Sequence, residues 1–146
     1  MLRIESIKDG TVIDHITAGQ ALNVLKILHI TPYSKETVSM VMNVSSKKIK
    51  RKDIVKIENR MLKKEELNKI ALIATNATIN IVKDNKIVEK YKVKIPDVVR
   101  GIIKCKNRNC ITNLEEIETK FKLESKDPLI LKCAYCEMRL DTIEFL

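Results

Sequence analysis

The sequence predicts an α+β chain in two unequal parts, a helix-on-sheet sandwich followed by a small antiparallel β module. Three observations carry this. Apolar residues recur with strand and helix periods in regular succession along the first two thirds of the chain. Pro96 then breaks the pattern. Beyond it lie four cysteines with the spacing Cys105-x4-Cys110-x22-Cys133-x2-Cys136.

Each element has a local reason. Asp9-Gly10 is a turn signal, and the β-branched run Thr11 to Ile16 that follows reads as a strand. Thr17 is a candidate N-cap for a helix whose apolar stripe is Ala18, Ala21, Leu22, Leu25 and Leu28, with Pro32 just past its end. Thr37 to Val44 alternates, with Val38, Met40, Met42 and Val44 on one face. Ser45 to Lys52 is a polar, basic connector. Asp53 to Glu58 is a strand with Val55 and Ile57 on one side and Ile54 and Lys56 on the other. Lys64 to Ala74 carries a helical stripe of Leu67, Ile70, Ala71 and Ala74. Thr78 to Val82 and Lys86 to Val93 are strands joined by an Asp84-Asn85 turn. Strand, helix, strand, strand, helix, strand is the ferredoxin-like split βαβ order, here with one extra strand. The predicted fold is therefore a ferredoxin-like N-terminal α/β sandwich over residues 1–95, a linker at 96–100, and a β zinc ribbon at 101–146.

The zinc expectation comes from the cysteines. Two close pairs of thiols separated by a longer segment suit a tetrahedral four-sulfur shell. A module this small buries too little apolar surface to fold on that alone, so metal binding supplies much of its stability. Cys133-Ala134-Tyr135-Cys136 is a tight knuckle, and Leu129 to Lys132 before it reads as a strand, with Arg139 to Leu146 as another. Neither histidine, His15 or His29, is near, so a closed structural site is expected rather than a catalytic one. Leu114, Ile117, Leu140, Ile143 and Leu146 are many apolar residues for so small a core; they are either all internal or partly turned to a protein partner.

Composition sets further limits. The formal net charge of +9 favours polyanions, and the basic runs Lys47 to Lys52 and Lys104 to Arg108 support an alternative reading as a nucleic-acid-binding zinc ribbon. Three tyrosines, two phenylalanines and no tryptophan leave few rings for stacking bases, which weighs against it. With three glycines there is no phosphate-cradling loop, and no nucleophile–base pair can be assembled, so an enzyme is not expected. The first residues lack a signal-peptide core and no apolar run approaches the roughly 20 residues of a membrane span. A cytoplasmic setting, where paired thiols hold metal, is the expectation.

Five motifs in order sharpen the reading: Gly10-Thr11-Val12-Ile13-Asp14-His15-Ile16, Arg51 through Asn59, Ala77-Thr78-Ile79-Asn80, Cys-x4-Cys-Ile, and Cys-x-Tyr-Cys-Glu. Together they resemble the regulatory chain of aspartate carbamoyltransferase over nearly the whole chain. The resemblance implies an N-terminal domain binding CTP, ATP and UTP as effectors in pyrimidine biosynthesis, and a C-terminal domain holding one zinc ion and docking on the catalytic chain. It implies regulatory dimers that bridge catalytic chains into a dodecamer of six catalytic and six regulatory chains.

The resemblance also implies residue roles. Ile4 to Ile7 would present backbone to the base, with Ile7 at the pocket. Asp14 would hold the ribose hydroxyls and His15 would face the phosphates. Lys56 would lie near ribose and base, Lys90 at the triphosphate, and Lys52 near the phosphates or a second nucleotide. Ile54, Val82 and Ile87 would be apolar walls, with Asn80 at the edge. Asn85 stands where better-known members carry an aromatic, which removes stacking contact from the base. On regular strands Asp14 and His15 point to opposite faces, as do Ile87 and Lys90, so each pair requires a bend or bulge to reach one ligand.

Overall fold

The structure is a computed structural model that describes residues 8–47 and 49–146. It divides into two compact units, Met1–Lys94 and Ile95–Leu146. In the first, strand β1 (Gly10–Thr17), helix α1 (Ala21–Ile27), strands β2 (Val38–Ser45) and β3 (Arg51–Glu58), helix α2 (Lys64–Ile73) and strands β4 (Thr78–Lys83) and β5 (Lys86–Lys92) follow in the expected order. The sheet order is β2-β3-β1-β4-β5 with every pair antiparallel. The first four of those strands have the ferredoxin-like arrangement, and β5 is the extra strand on the β4 edge.

Alternation assigns the two faces. Ile13, Val55, Ile57 and Ile79 are fully buried, together with Ala21 and Val24 of α1 and Ile70 and Ala71 of α2. That is one helix-covered face with its core. Val12, Ile54, Lys56, Asn80 and Val82, one position out of phase, lie on the other face. The turn between β4 and β5 places Asp84 and Asn85 at φ 51° and 64°, the left-handed pair of a two-residue hairpin loop.

The start of α1 departs from the expectation. Thr17 ends β1 instead of capping, and the helix opens at Ala21. Its first amides are held from outside the local sequence: the buried Asp53 carboxylate on β3 accepts from the N–H of Gly19 at 2.9 Å and of Ala21 at 3.0 Å. The buried face differs from the expected stripe: Val24 and Ile27 join Ala21 and Leu28 in the core, and Leu22 is 52% exposed. The other end closes with His29, at φ 57°, donating its N–H to Lys26 while Ile30 donates to Leu25. This is a complete Schellman cap.

The second unit is a sheet in the order β6-β7-β8-β9, with β6 (Val98–Arg100), β7 (Lys120–Lys126), β8 (Leu129–Cys133) and β9 (Arg139–Leu140), plus a one-turn helix α3 (Ile111–Leu114). Its core is Val99, Ile103, Phe121, Leu131 and Leu140 around the cysteines. The expected linker at 96–100 is corrected here. Val98, Val99 and Arg100 pair with Lys122, Phe121 and Lys120, and Val99 is buried against Phe121, so these residues are a strand of the second unit. The tail strand is shorter than expected, with Phe145 bridging singly to Ile103. Leu140 is buried, whereas Leu114 and Leu146 are exposed.

Candidate ligand pocket and metal centre

The open face of the first sheet carries a cleft of about 440 Å³, a size suited to a small molecule. Strand β1 contributes Val12 and Asp14, β3 Ile54 and Lys56, and β4 Asn80 and Val82; Asn85, Ile87 and Lys90 close it from the hairpin side. Cross-strand register builds its floor. Val12 lies opposite both Lys56 and Asn80, and Asn80 lies opposite Lys90, so these four form one row across the sheet. Asn80 is tied in place by its Nδ2, which donates to the Val12 carbonyl at 3.4 Å.

Two bulges tune this face. Between β4 and β5 the register passes from Ile81–Glu89 to Val82–Ile87, leaving Val88 as the extra residue. That brings Ile87 and Lys90 into phase on the cleft side. Between β1 and β3 the register passes from Ile13–Val55 to Ile16–Asp53, so Asp14 and His15 together face Ile54, with His15 at φ 55°. Asp14 lines the cleft. His15 does not; its Nδ1 meets the Thr78 hydroxyl at 3.1 Å.

Asp14 is the anionic group of the cleft. Its Oδ1 accepts from the His15 backbone N–H at 2.6 Å and pairs with Lys52 Nζ at 2.9 Å. Burial pushes its carboxyl up, but the Lys52 and His15 hydrogen bonds and the nearby positive charge outweigh burial and hold it below the usual carboxylate range. Lys52 lines no part of the cleft. Among the described residues neither Lys56 nor Lys90 makes an ion pair, so both ammonium groups are available to an anion. Ile7 and the segment Ile4 to Ile7 lie outside the described residues. Val12 was not foreseen, although its place two residues before Asp14 on the same strand face was a usable signal.

In the second unit the four cysteine sulfurs lie within 4.8 Å of one another. Cys105 and Cys136 sulfurs are 3.6 Å apart, and those of Cys110 and Cys133 are 3.8 Å apart. A tetrahedron with metal–sulfur bonds of about 2.3 Å has edges of about 3.8 Å. The donor set therefore fits a tetrahedral thiophilic ion. As bare thiols three of the ligands differ: burial pushes Cys105 up to about 12 and raises Cys133, while backbone and side-chain hydrogen bonds overcome burial at Cys136 and bring it to about 7. A divalent cation reverses this by favouring thiolate at every ligand. The wide ligand loop is held by Asn113, whose Nδ2 donates to the carbonyls of Cys105 at 2.8 Å and Asn107 at 2.7 Å. The Thr112 hydroxyl donates to Cys110 Sγ at 3.2 Å. No described helix is long and apolar enough to cross a membrane.

Comparison with known proteins gives the family of both units. Residues 2–94 match the family model described as aspartate carbamoyltransferase regulatory chain, allosteric domain, and residues 97–146 match that of the metal binding domain of the same chain. Proteins named aspartate carbamoyltransferase regulatory chain are similar along their length. That of Pyrococcus abyssi is 53% identical, covering 99% of this chain and 96% of the relative. That of Methanothrix thermoacetophila is 55% identical, with 95% and 91% covered. That of Thermococcus kodakarensis is 54% identical, with 98% and 94% covered. With an allosteric unit, a four-cysteine metal unit and full-length similarity, the chain belongs to the aspartate carbamoyltransferase regulatory chain family, the non-catalytic subunits of that enzyme.

Proposed function

We propose that the cleft is an effector site for nucleoside triphosphates, with CTP and ATP competing for it and UTP as a further occupant. The observation that carries this is the arrangement of Asp14, an acceptor suited to ribose hydroxyls, on a sheet face whose central row holds the ammonium groups of Lys56 and Lys90, neither of them ion-paired among the described residues. Lys90, on the exposed outer strand, meets the triphosphate, and Lys56 meets ribose and base. Ile54, Val82 and Ile87 are the apolar walls, Asn80 and Asn85 border the base, and Ile7 adds backbone contacts. Asn85 supplies no ring, so the base is read by hydrogen bonds and apolar contact instead of stacking. His15 reaches the phosphates only if its ring leaves Thr78.

The second unit holds one zinc ion through Cys105, Cys110, Cys133 and Cys136 and docks on the catalytic chain of aspartate carbamoyltransferase. Exposed Ile111, Leu114, Tyr135 and Leu146 support an apolar contact there. Regulatory dimers then join catalytic chains into a dodecamer of six and six, in the cytoplasm, and effectors act on pyrimidine biosynthesis by binding its quaternary states with different affinity.

Calorimetric titration of CTP into the zinc-loaded chain, with ATP as competitor, tests the site. Saturable CTP binding that ATP displaces is expected, with Lys90→Ala weakening both about tenfold. Binding that survives loss of both Lys56 and Lys90 would place the nucleotide elsewhere. Metal analysis of the purified chain tests the ion, with one zinc per chain expected and iron as the contrary result.

A further inference from the structure

We propose that Thr112 is a positioning residue of the metal centre: its hydroxyl donates to the Cys110 thiolate, fixes that sulfur on the ion and sets how firmly the second unit holds its metal. This rests on the metal reading of the four cysteines.

The charge of the shell creates the need. Four thiolates around one divalent cation leave the centre doubly anionic. Cys105, Cys110 and Cys133 are buried, and buried anionic charge is stable only where donors meet it. Three of the sulfurs receive main-chain donors: Cys105 from Asn107, Cys133 from Tyr135 and Cys136, and Cys136 from Met138. Those bonds follow the path of the chain around the ion, whatever side chains lie there. Positive side chains collect on one flank. Lys104, Lys106 and Arg108 line a cleft that Cys105 borders and Cys110 does not.

Cys110 is served differently. Its main chain is held on both sides, because its N–H donates to the Asn107 carbonyl at 3.0 Å and its carbonyl accepts from the Asn113 N–H at 2.9 Å. Its sulfur takes a donor from a side chain, Thr112, two residues on in the first turn of α3, with Oγ1 3.2 Å from Sγ. A thiolate carries no proton, so the hydroxyl is the donor once the ion is bound. The bond draws charge off the sulfur and orients it, as outer partners do for metal ligands generally. Because a side chain supplies it, one substitution removes it and leaves all four ligands in place. Valine keeps the branched shape of threonine without the donor.

The test loads the full chain with cobalt(II) in place of zinc and compares it with Thr112→Val and Thr112→Ser. Losing the hydroxyl bond raises the energy of the sulfur lone pairs. The thiolate-to-cobalt charge-transfer band of Thr112→Val should therefore move to longer wavelength, while the visible d–d bands keep the intensity of a tetrahedral four-thiolate site. Transfer of the metal to a chromophoric chelator should become about tenfold faster. Thr112→Ser keeps the hydroxyl and should restore both. A purely structural threonine would alter metal transfer without moving the charge-transfer band. An unmoved band, an unchanged transfer rate, or loss of the tetrahedral d–d intensity in Thr112→Val overturns the assignment. If Thr112→Val folds poorly, NMR of the unsubstituted chain loaded with NMR-active cadmium decides. The Thr112 hydroxyl proton should show scalar coupling to the metal through Cys110 Sγ, and absence of that coupling overturns the assignment. Failure of the unsubstituted chain to take up zinc, cobalt or cadmium overturns the metal reading itself, which is a separate and recognisable outcome.

Discussion

Asp53 accepts three backbone N–H groups with one buried carboxylate. Besides Gly19 and Ala21 it takes the N–H of Asn43 at 2.8 Å, the residue at φ 57° where the β2–β3 register shifts between Val41 and Val44. It thus caps α1 and satisfies a bulge in the edge strand at once. Replacing it with Asn turns one acceptor oxygen into a donor facing backbone donors. Asp53→Asn is expected to cost about 2 kcal/mol or more, read as a lower urea midpoint with unchanged slope. Asp14 makes a prediction of a different kind. Its folded carboxyl titrates lower than usual, so its ionised form stabilises the fold at neutral pH. That contribution disappears as pH falls from the ordinary carboxylate range through the depressed folded value. An NMR titration of Asp14 should give a midpoint below that of an unperturbed aspartate, and Lys52→Met should move it upward; a midpoint insensitive to Lys52 would remove that ion pair as the cause. Neither Asp53's load nor the Asp14–Lys52 pair was legible in the sequence, because both depend on residues brought together across strand register.

Helix and strand ends show where local rules held and where they yielded. The end of α1 at His29 follows local chemistry, but histidine occupies a left-handed position where glycine is usual. His29→Gly keeps both cap hydrogen bonds and relieves about 1 kcal/mol of backbone strain, an expected gain measurable as a higher thermal midpoint. The start of β1 is the opposite case. Gly10 has φ 144°, and a Cβ there would lie 2.2 Å from the Ile57 carbonyl oxygen. Gly10→Ala should therefore destabilise the first unit by about 2 kcal/mol or more, with loss of amide protection along the β1–β3 ladder. At the start of α1, Thr17 had the right chemistry for a cap, yet the helix begins three residues later, where the tertiary acceptor Asp53 takes the Ala21 N–H. Strand β7 went unread although Phe121, Leu123 and Ser125 alternate with Lys120, Lys122 and Glu124; the period was present, but the charged partners masked it among neighbouring polar residues.

At the scale of the whole chain, the two units are stabilised differently. The first has a two-layer core running from Ile13 and Ile79 to Val24 and Ile70. The second has six buried large apolar side chains, Ile95 among them, and a cluster of sulfurs. Chelation should accordingly unfold the second unit while leaving the first folded. Circular dichroism should then show partial loss of strand signal, and hydrogen exchange should leave the Ile13 and Ile79 amides protected; simultaneous exposure of both units would show that the metal supports the first unit as well. The sequence by itself determined the order of strands and helices in the first unit, the faces of β3 and β4, and the two cysteine pairs that cluster, since periodicity and short spacing are set by covalent geometry along the chain. It also placed Asp14, Ile54, Lys56, Asn80 and Lys90 on faces from which they could share a cleft. Only the tertiary structure decided that they do, that Val12 joins them, that His15 turns to Thr78, and that Lys52 stands behind Asp14. It likewise made residues 98–100 a strand. Those outcomes rest on where two bulges fall and which strands become neighbours, and both are settled by long-range pairing and burial that no local period encodes.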